Sequence, residues 1–443
     1  MKPARVVPFA LASLALSTTA FANMGNLATN YGVLPGDVAS AQALSLFNSQ
    51  VSATYYNPSY LAKDSRGELT GALLHADQDL LAKTVSSNGW QQRSGDTLSA
   101  DPSQHVILGM KTDLTSLTEY NRPLFFGLVV GVEKYGDEML AFTSGTSREG
   151  QFFSYGREPL FLNLGGAMEV MDGLLVGASA RVTLHADATM ATYSTLGGDT
   201  EYERLDVSAT PSIRPILGVS ADVGKLFCGD GDCFLNNWEV ALSWRGYSNT
   251  QTAVNANAVI PQTIDEPGLF LAINTLDSYQ PDIIALGVQY RADRWRAGLT
   301  LEQQNWSDLG KELANDTIKD QAGLEFDDIL IPRLGAEYEL LSGVFVTGGV
   351  AVAESPLKSI RSLDVNYFDT DKLMVGLGVA MEFADPPVLA FPLRLEFGYQ
   401  YQQLEDRDFE LTTTDPDNPS NPYETITASG EVHIFTGSFT MKF

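Results

Sequence analysis

Four histidines, two cysteines and a few acid-flanked serines are the residues in this 443-residue sequence whose types could do chemistry. A hydrolase needs a nucleophile, a base and a group that orients the base. The sequence holds no G-x-S-x-G and no H-E-x-x-H, and its histidines are His75, His105, His185 and His433. His185, nine positions before Ser194 and close to several acids, is all that suggests a lipase-like site. Catalysis is therefore not expected, and nothing calls for a cofactor. Cys228 and Cys233 enclose Gly229, Asp230, Gly231 and Asp232. In an exported protein such a pair forms a disulfide, worth about 2 kcal/mol by loop entropy. No metal is expected there, because two carboxylates leave most of a calcium shell unfilled. The connection from Thr250 to Tyr279 is apolar for an exposed segment, with Leu269, Phe270, Leu271 and Ile273 at its centre. It either packs onto neighbouring loops or offers a docking surface for an apolar ligand, each buried methylene contributing about 0.8 kcal/mol.

Three features describe the frame that must position these residues. Lys2 and Arg5 precede an apolar run from Val6 to Leu16, and Ala20-Phe21-Ala22 follows. Residues 1–22 thus have the form of a secretory signal cleaved between Ala22 and Asn23. The 28 basic and 55 acidic side chains give a net charge of −27, which excludes nucleic acid as a partner. From Arg66 onward, apolar and polar residues alternate with the period of a strand that has two different faces. Phe435, Gly437, Phe439, Met441 and Phe443 share one face, while Thr436, Ser438, Thr440 and Lys442 share the other. The same division recurs at Trp238–Arg245, Trp295–Glu302 and Leu393–Tyr401.

A soluble sandwich also alternates, but many segments here reach ten residues, and Trp and Tyr lie near their ends. Both traits fit a transmembrane barrel. Six short connections (near Thr115–Asn121, Met171–Gly173, Lys225–Asn237, Arg291–Arg294, Leu341–Gly343 and Ala384–Phe391) alternate with seven longer polar ones. The count predicts an all-β fold, a fourteen-stranded antiparallel barrel over residues 66–443, in the outer membrane of a Gram-negative bacterium. The polar faces carry Arg181, Arg245, Arg291, Arg296, Arg333 and Arg394 with Glu239, Glu302, Glu337, Glu339, Glu382 and Glu396. Equal numbers of each sign predict mutual pairing and an occluded interior rather than a one-signed pore. Residues 23–65 do not alternate. Asp37 reads as the N-cap of a helical run from Val38 to Phe47, and Asn57-Pro58 as a second helix start. Such a segment serves as an appendage or as a plug, and the two-signed interior favours a plug.

At this point the sequence resembles the FadL/TodX family of outer-membrane transporters for hydrophobic compounds. Ser52–Leu61, with Asn57, Pro58 and Leu61, is similar to that family's N-P-A-x-L hatch motif, Ser59 replacing the usual Ala. Pro281–Tyr290, Ile331–Tyr338 and Ser355-Pro356 carry the rest, in order and spacing, while Cys228–Cys233 is not a family feature. The resemblance implies a small N-terminal helical hatch over residues 23–65, capture of cargo at extracellular loops, and lateral release where the third strand kinks. Here that segment runs from Arg122 to Lys134 and contains Gly127 and Gly131. Glycine in a strand permits a bend or simply makes room for a bulky neighbour. Long-chain fatty acids are the first expected cargo and monoaromatic hydrocarbons the second. A polar-solute porin and a surface adhesion or structural barrel are the rival readings. Outer-membrane lipids, lipopolysaccharide and the barrel-assembly machinery are the expected surroundings and partners.

Overall fold

The computed structural model describes residues 31–87, 102–117, 119, 122–136, 138–144, 147–155, 159–194, 200–229, 233–260, 264–313, 324–359, 361–363, 369–412, 422 and 424–443. The signal-like segment and cleavage site at Ala22 and Asn23 lie outside these residues.

Fourteen strands close one antiparallel barrel. In order they are β1 (Glu68–Ser87), β2 (Ser103–Asp113), β3 (Leu124–Lys134), β6 (Leu160–Met171), β7 (Leu174–Ser194), β8 (Thr200–Asp222) and β9 (Trp238–Arg245). The circuit continues through β12 (Asp282–Arg291), β13 (Trp295–Asn305), β14 (Ile329–Leu341), β15 (Val344–Ala353), β17 (Lys372–Phe383), β18 (Leu393–Thr412) and β19 (Glu424–Lys442). Pairing of β1 with β19 closes it, from Glu68 opposite Lys442 upward, so no edge is left for lipid to face. The intervening strands β4 (Glu138–Ser144), β5 (Ser147–Tyr155), β10 (Ser248–Ile260), β11 (Ile264–Gln280) and β16 (Arg361–Leu363) belong to the long connections.

Alternation sorts the wall as expected. Leu73, Leu108, Leu217, Leu242, Leu299, Leu334, Leu377, Phe397 and Phe439 are exposed on the outside, a continuous apolar band around the barrel. At the short-turn end Trp238, Tyr290 and Trp295 form a chain of ring contacts, the first edge-on and the second tilted, with centroids 5.3 Å apart at each step. Phe391 packs against the terminal Phe443.

Several long connections are not loops. β1, β7, β8, β18 and β19 each run to about 20 residues, well past the length that spans a bilayer. The connection expected at Thr195–Glu203 shrinks accordingly, with β7 reaching Ser194 and β8 starting at Thr200. The Thr250–Tyr279 connection is a hairpin of β10 and β11. Its polar and apolar mixture resembled a loop because a strand above the membrane need not keep a lipid face.

The segment from Tyr31 to Ala62 lies inside the barrel and is almost wholly buried. It is less helical than its sequence suggests. α1 (Pro35–Ala39) is one turn, preceded by Leu34, and Asp37 is its third residue rather than its cap. The Asp37 carboxylate reaches back to accept from the Leu34 amide at 3.0 Å. The run does not continue to Phe47, because Ala41 and Gln42 take φ of 48° and 65°. α2 (Ala53–Tyr56) follows, and Pro58–Lys63 is a 3-10 helix whose leading Asn57 makes no capping bond.

Candidate functional site

The barrel wall holds the luminal segment through its backbone. Side-chain donors reach its carbonyl oxygens from around the circumference: Gln400 to Val38 at 3.0 Å, Arg333 to Ala41 at 3.0 Å and Thr300 to Ala43 at 2.8 Å. Arg296 donates to Phe47 at 3.1 Å, Lys111 to Ser49 at 3.0 Å, Ser179 to Thr54 and Ser243 to Tyr56, both at 2.5 Å. A non-helical chain inside a barrel must find such donors or bury bare carbonyls. Close approach is made possible by inward glycines. A Cβ on Gly376 would fall 2.5 Å from the carbonyl oxygens of Val38 and Ala39, and one on Gly398 2.6 Å from that of Pro35.

Asn57 sits at the centre of this attachment and is fully buried. Its amide donates to the Leu46 carbonyl and to Ser220 Oγ, each at 2.8 Å, and its oxygen accepts from Ser59 Oγ at 2.7 Å. Ser59, where the family motif has Ala, also bonds Ser220 at 2.7 Å. Pro58 and Leu61 are buried beside it, Leu61 facing Gly127.

Above and below this segment the lumen differs. On the long-loop side lies a cavity with empty space of about 1120 Å³, part of it open to the outside. Its apolar wall includes Tyr31, Trp306, Ile331, Met374, Leu404 and Val432. Its floor carries Arg245 and Arg333, and both are bound to Glu302, the second at 3.2 Å. Lys372, the other cation lining the cavity among the described residues, pairs with Asp369 at 2.8 Å. On the short-turn side a second space of about 1210 Å³ is lined by Lys63, Arg66, Arg291, Arg296, Arg394 and Lys442 together with Asp64, Glu337 and Glu396.

The lumen charges largely pair as expected. Arg296 binds Glu337 at 2.8 Å, and Arg394 binds Glu382 at 2.8 Å and Glu396 at 2.7 Å. Four of the twelve do not pair among themselves. Arg181 pairs at 2.7 Å with Glu133, a residue the sequence reading passed over although its parity with Gly127 and Gly131 on β3 points it inward. Glu239 takes Lys63 of the luminal segment at 2.5 Å. Glu339 closes a turn by accepting from the Gly343 amide, and Arg291 is exposed and makes no ion pair within 4 Å among the described residues, though its charge reaches Glu239.

β3 itself is regular. It pairs with β2 and β6 without a register shift, so no bulge marks Gly127 or Gly131. A Cβ on Gly127 would meet Thr54 and Leu61, and one on Gly131 would meet the Phe161 ring, each first contact at 2.7 Å.

Register places the docking candidates on a four-stranded sheet above the wall. β10 pairs antiparallel with β11 and parallel with the extension of β7, which pairs with β8. Ile273, Val254, Ala188 and Val207 form one row, and Leu271, Ala256, Met190 and Leu205 the next. Leu269 pairs with Ala258, and Phe270 falls in the row of Asn257, Ala191 and Arg204. His185 and Ser194 both lie on β7, nine residues apart. At about 3.3 Å per residue that is roughly 30 Å, too far for a nucleophile and its base. Cys228 and Cys233 are joined as a disulfide in the turn between β8 and β9.

The sequence is 53% identical over 447 residues to alkane uptake protein A of Marinobacter nauticus, covering 99% of this chain and 96% of that protein. No protein-family model matches it. Among solved structures it is similar to a FadL homologue of Pseudomonas aeruginosa, with a TM-score of 0.57 at 12% identity, covering 96% of this chain and 99% of the other. It is likewise similar to the toluene transporter TodX of Pseudomonas putida, with a TM-score of 0.55 at 11% identity over 93% and 99% of the two chains. At these identities the structural likeness speaks for the fold.

Proposed function

This chain belongs to the FadL/TodX family of outer-membrane transporters of hydrophobic compounds, and from that premise we propose that its cargo is neutral hydrocarbon, alkanes first. The observation that carries this reading is the pairing inside the upper cavity. A fatty-acid carboxylate needs an unengaged cation to offset its desolvation, and the three cations that line the cavity among the described residues are each in an ion pair with an acid. An alkane asks only for apolar wall, at about 0.8 kcal/mol per buried methylene. The name of the Marinobacter relative points the same way. The Arg245–Glu302–Arg333 group carries one net positive charge, and this favours long-chain fatty acids as the second reading.

Capture begins on the sheet of β7, β8, β10 and β11, at Leu269, Phe270, Leu271 and Ile273 of β11. Cargo then passes to the cavity above the luminal segment, which acts as a hatch over residues 23–65. The charged lower chamber opposes onward movement of an alkane, so release is sideways past β3 at Gly127 and Gly131, a step that requires the closed pairing of β3 to open there. No bond is made or broken along this route. Lipopolysaccharide and outer-membrane lipids surround the barrel, and the barrel-assembly machinery inserts it.

Growth of a deletion strain on hexadecane, oleate or toluene as sole carbon source tests the proposal. Loss of growth on hexadecane with oleate unaffected is expected. Loss on oleate alone would move the assignment to fatty acids.

A further inference from the structure

The turn between β8 and β9 carries a feature that transport does not use. α3 (Val223–Cys228) starts at Asp222, whose carboxylate accepts from the Lys225 amide, and the disulfide then ties Cys228 to Cys233. Phe227 immediately precedes the first cysteine and Phe234 immediately follows the second. The staple therefore keeps the two phenylalanines on one short lobe, each next in sequence to a linked cysteine. They are 76% and 81% exposed, and large aromatics left that open mark an interaction surface.

The position of the lobe identifies the partner. Phe234 packs on Trp238 with ring centroids 6.2 Å apart, and Trp238 leads the chain through Tyr290 to Trp295 on the lipid-facing wall. The aromatic lobe is thus continuous with the belt at the lower membrane boundary, where amphipathic rings sit at the headgroup level. Other turns at this end also project apolar side chains, Leu117 at 77% and Val388 at 92% exposure. We propose that the disulfide-stapled turn inserts Phe227 and Phe234 into the phospholipid of the inner leaflet of the outer membrane, as a wedge that fixes the height of the barrel. A periplasmic protein is the other possible occupant of such a surface, and it is an outcome of the test.

The test replaces Phe227, Phe234 or Lys225 of the full chain with p-azidophenylalanine, near-isosteric for the two phenylalanines, and irradiates isolated outer membranes. Lys225 lies two residues from Phe227, about 200° around α3, and serves as the control. Mass spectrometry is expected to find phospholipid adducts at Phe227 and Phe234 with a yield at least fivefold above that at Lys225. Adducts to a protein, water-quenched azide alone, or equal lipid yield at all three positions would overturn the proposal.

Discussion

Replacing Asn57 by Ala tests how the luminal segment seals the barrel. The substitution removes three hydrogen bonds at 2.7–2.8 Å and leaves the Leu46 carbonyl, Ser59 and Ser220 without that partner in a fully buried place. At about 1 kcal/mol net for each bond, local detachment becomes easier by about 3 kcal/mol, roughly a hundredfold in the open population. The strands are untouched, so the barrel should still form and keep its shift on unboiled gels. The assay is ion conductance of the purified barrel in planar bilayers, with vancomycin sensitivity of intact cells as the cellular counterpart. The expected result is frequent large openings in Asn57→Ala against a nearly silent wild type. If the variant is folded and its conductance stays within twofold of wild type, the seal does not depend on this node and the reasoning fails.

Glu302→Gln should leave Arg245 and Arg333 without their shared acid, costing roughly 3–5 kcal/mol in stability. The same variant should bind palmitate more tightly than wild type by isothermal titration, since it frees the cations that the wild-type cavity withholds. Burial pushes the Asp37 carboxyl up to about 6, against the opposing bonds from Ser45, Leu34 and Asn48. The folded state therefore holds this proton more tightly than the unfolded chain. Stability from this group is fully present below the ordinary carboxylate range and is lost as pH rises towards 6, by about 3 kcal/mol. Thermal midpoints should fall between pH 4 and 7 in wild type and lose that component in Asp37→Asn. An impermeant maleimide applied after mild reduction should label Cys228 and Cys233 only once the outer membrane is permeabilised, and labelling of intact cells would place the turn on the wrong side.

The wall was legible because lipid on one side and a polar lumen on the other force a period of two, and every short turn interrupts it. Parity also carried the information that Glu133 points inward, one step from the exposed Lys134, but not that it meets Arg181. The strand extensions were not legible, because above the membrane the pattern of β7, β8, β10 and β11 is set by neighbours in the sheet rather than by lipid. Nor was the conformation of the luminal segment. With nearly every side chain from Tyr31 to Ala62 buried, no face is left to be polar, and periodicity vanishes. Its stability rests on donors such as Lys111, Thr300, Arg333 and Gln400, which are hundreds of positions away in sequence in most cases and read there as ordinary lumen residues. Asn57 looked like a helix cap, whereas the structure turns its amide to the barrel wall.

The central claim is that neutral hydrocarbon crosses through the upper cavity. The most direct measurement is the initial uptake rate of labelled hexadecane and palmitate in deletion cells carrying wild type or Met374→Asp, which puts a charge on the cavity wall, with folding checked by the gel shift. The account predicts that wild type accelerates hexadecane far more than palmitate and that Met374→Asp abolishes the gain. Equal hexadecane uptake with the folded variant, or acceleration confined to palmitate, would contradict it.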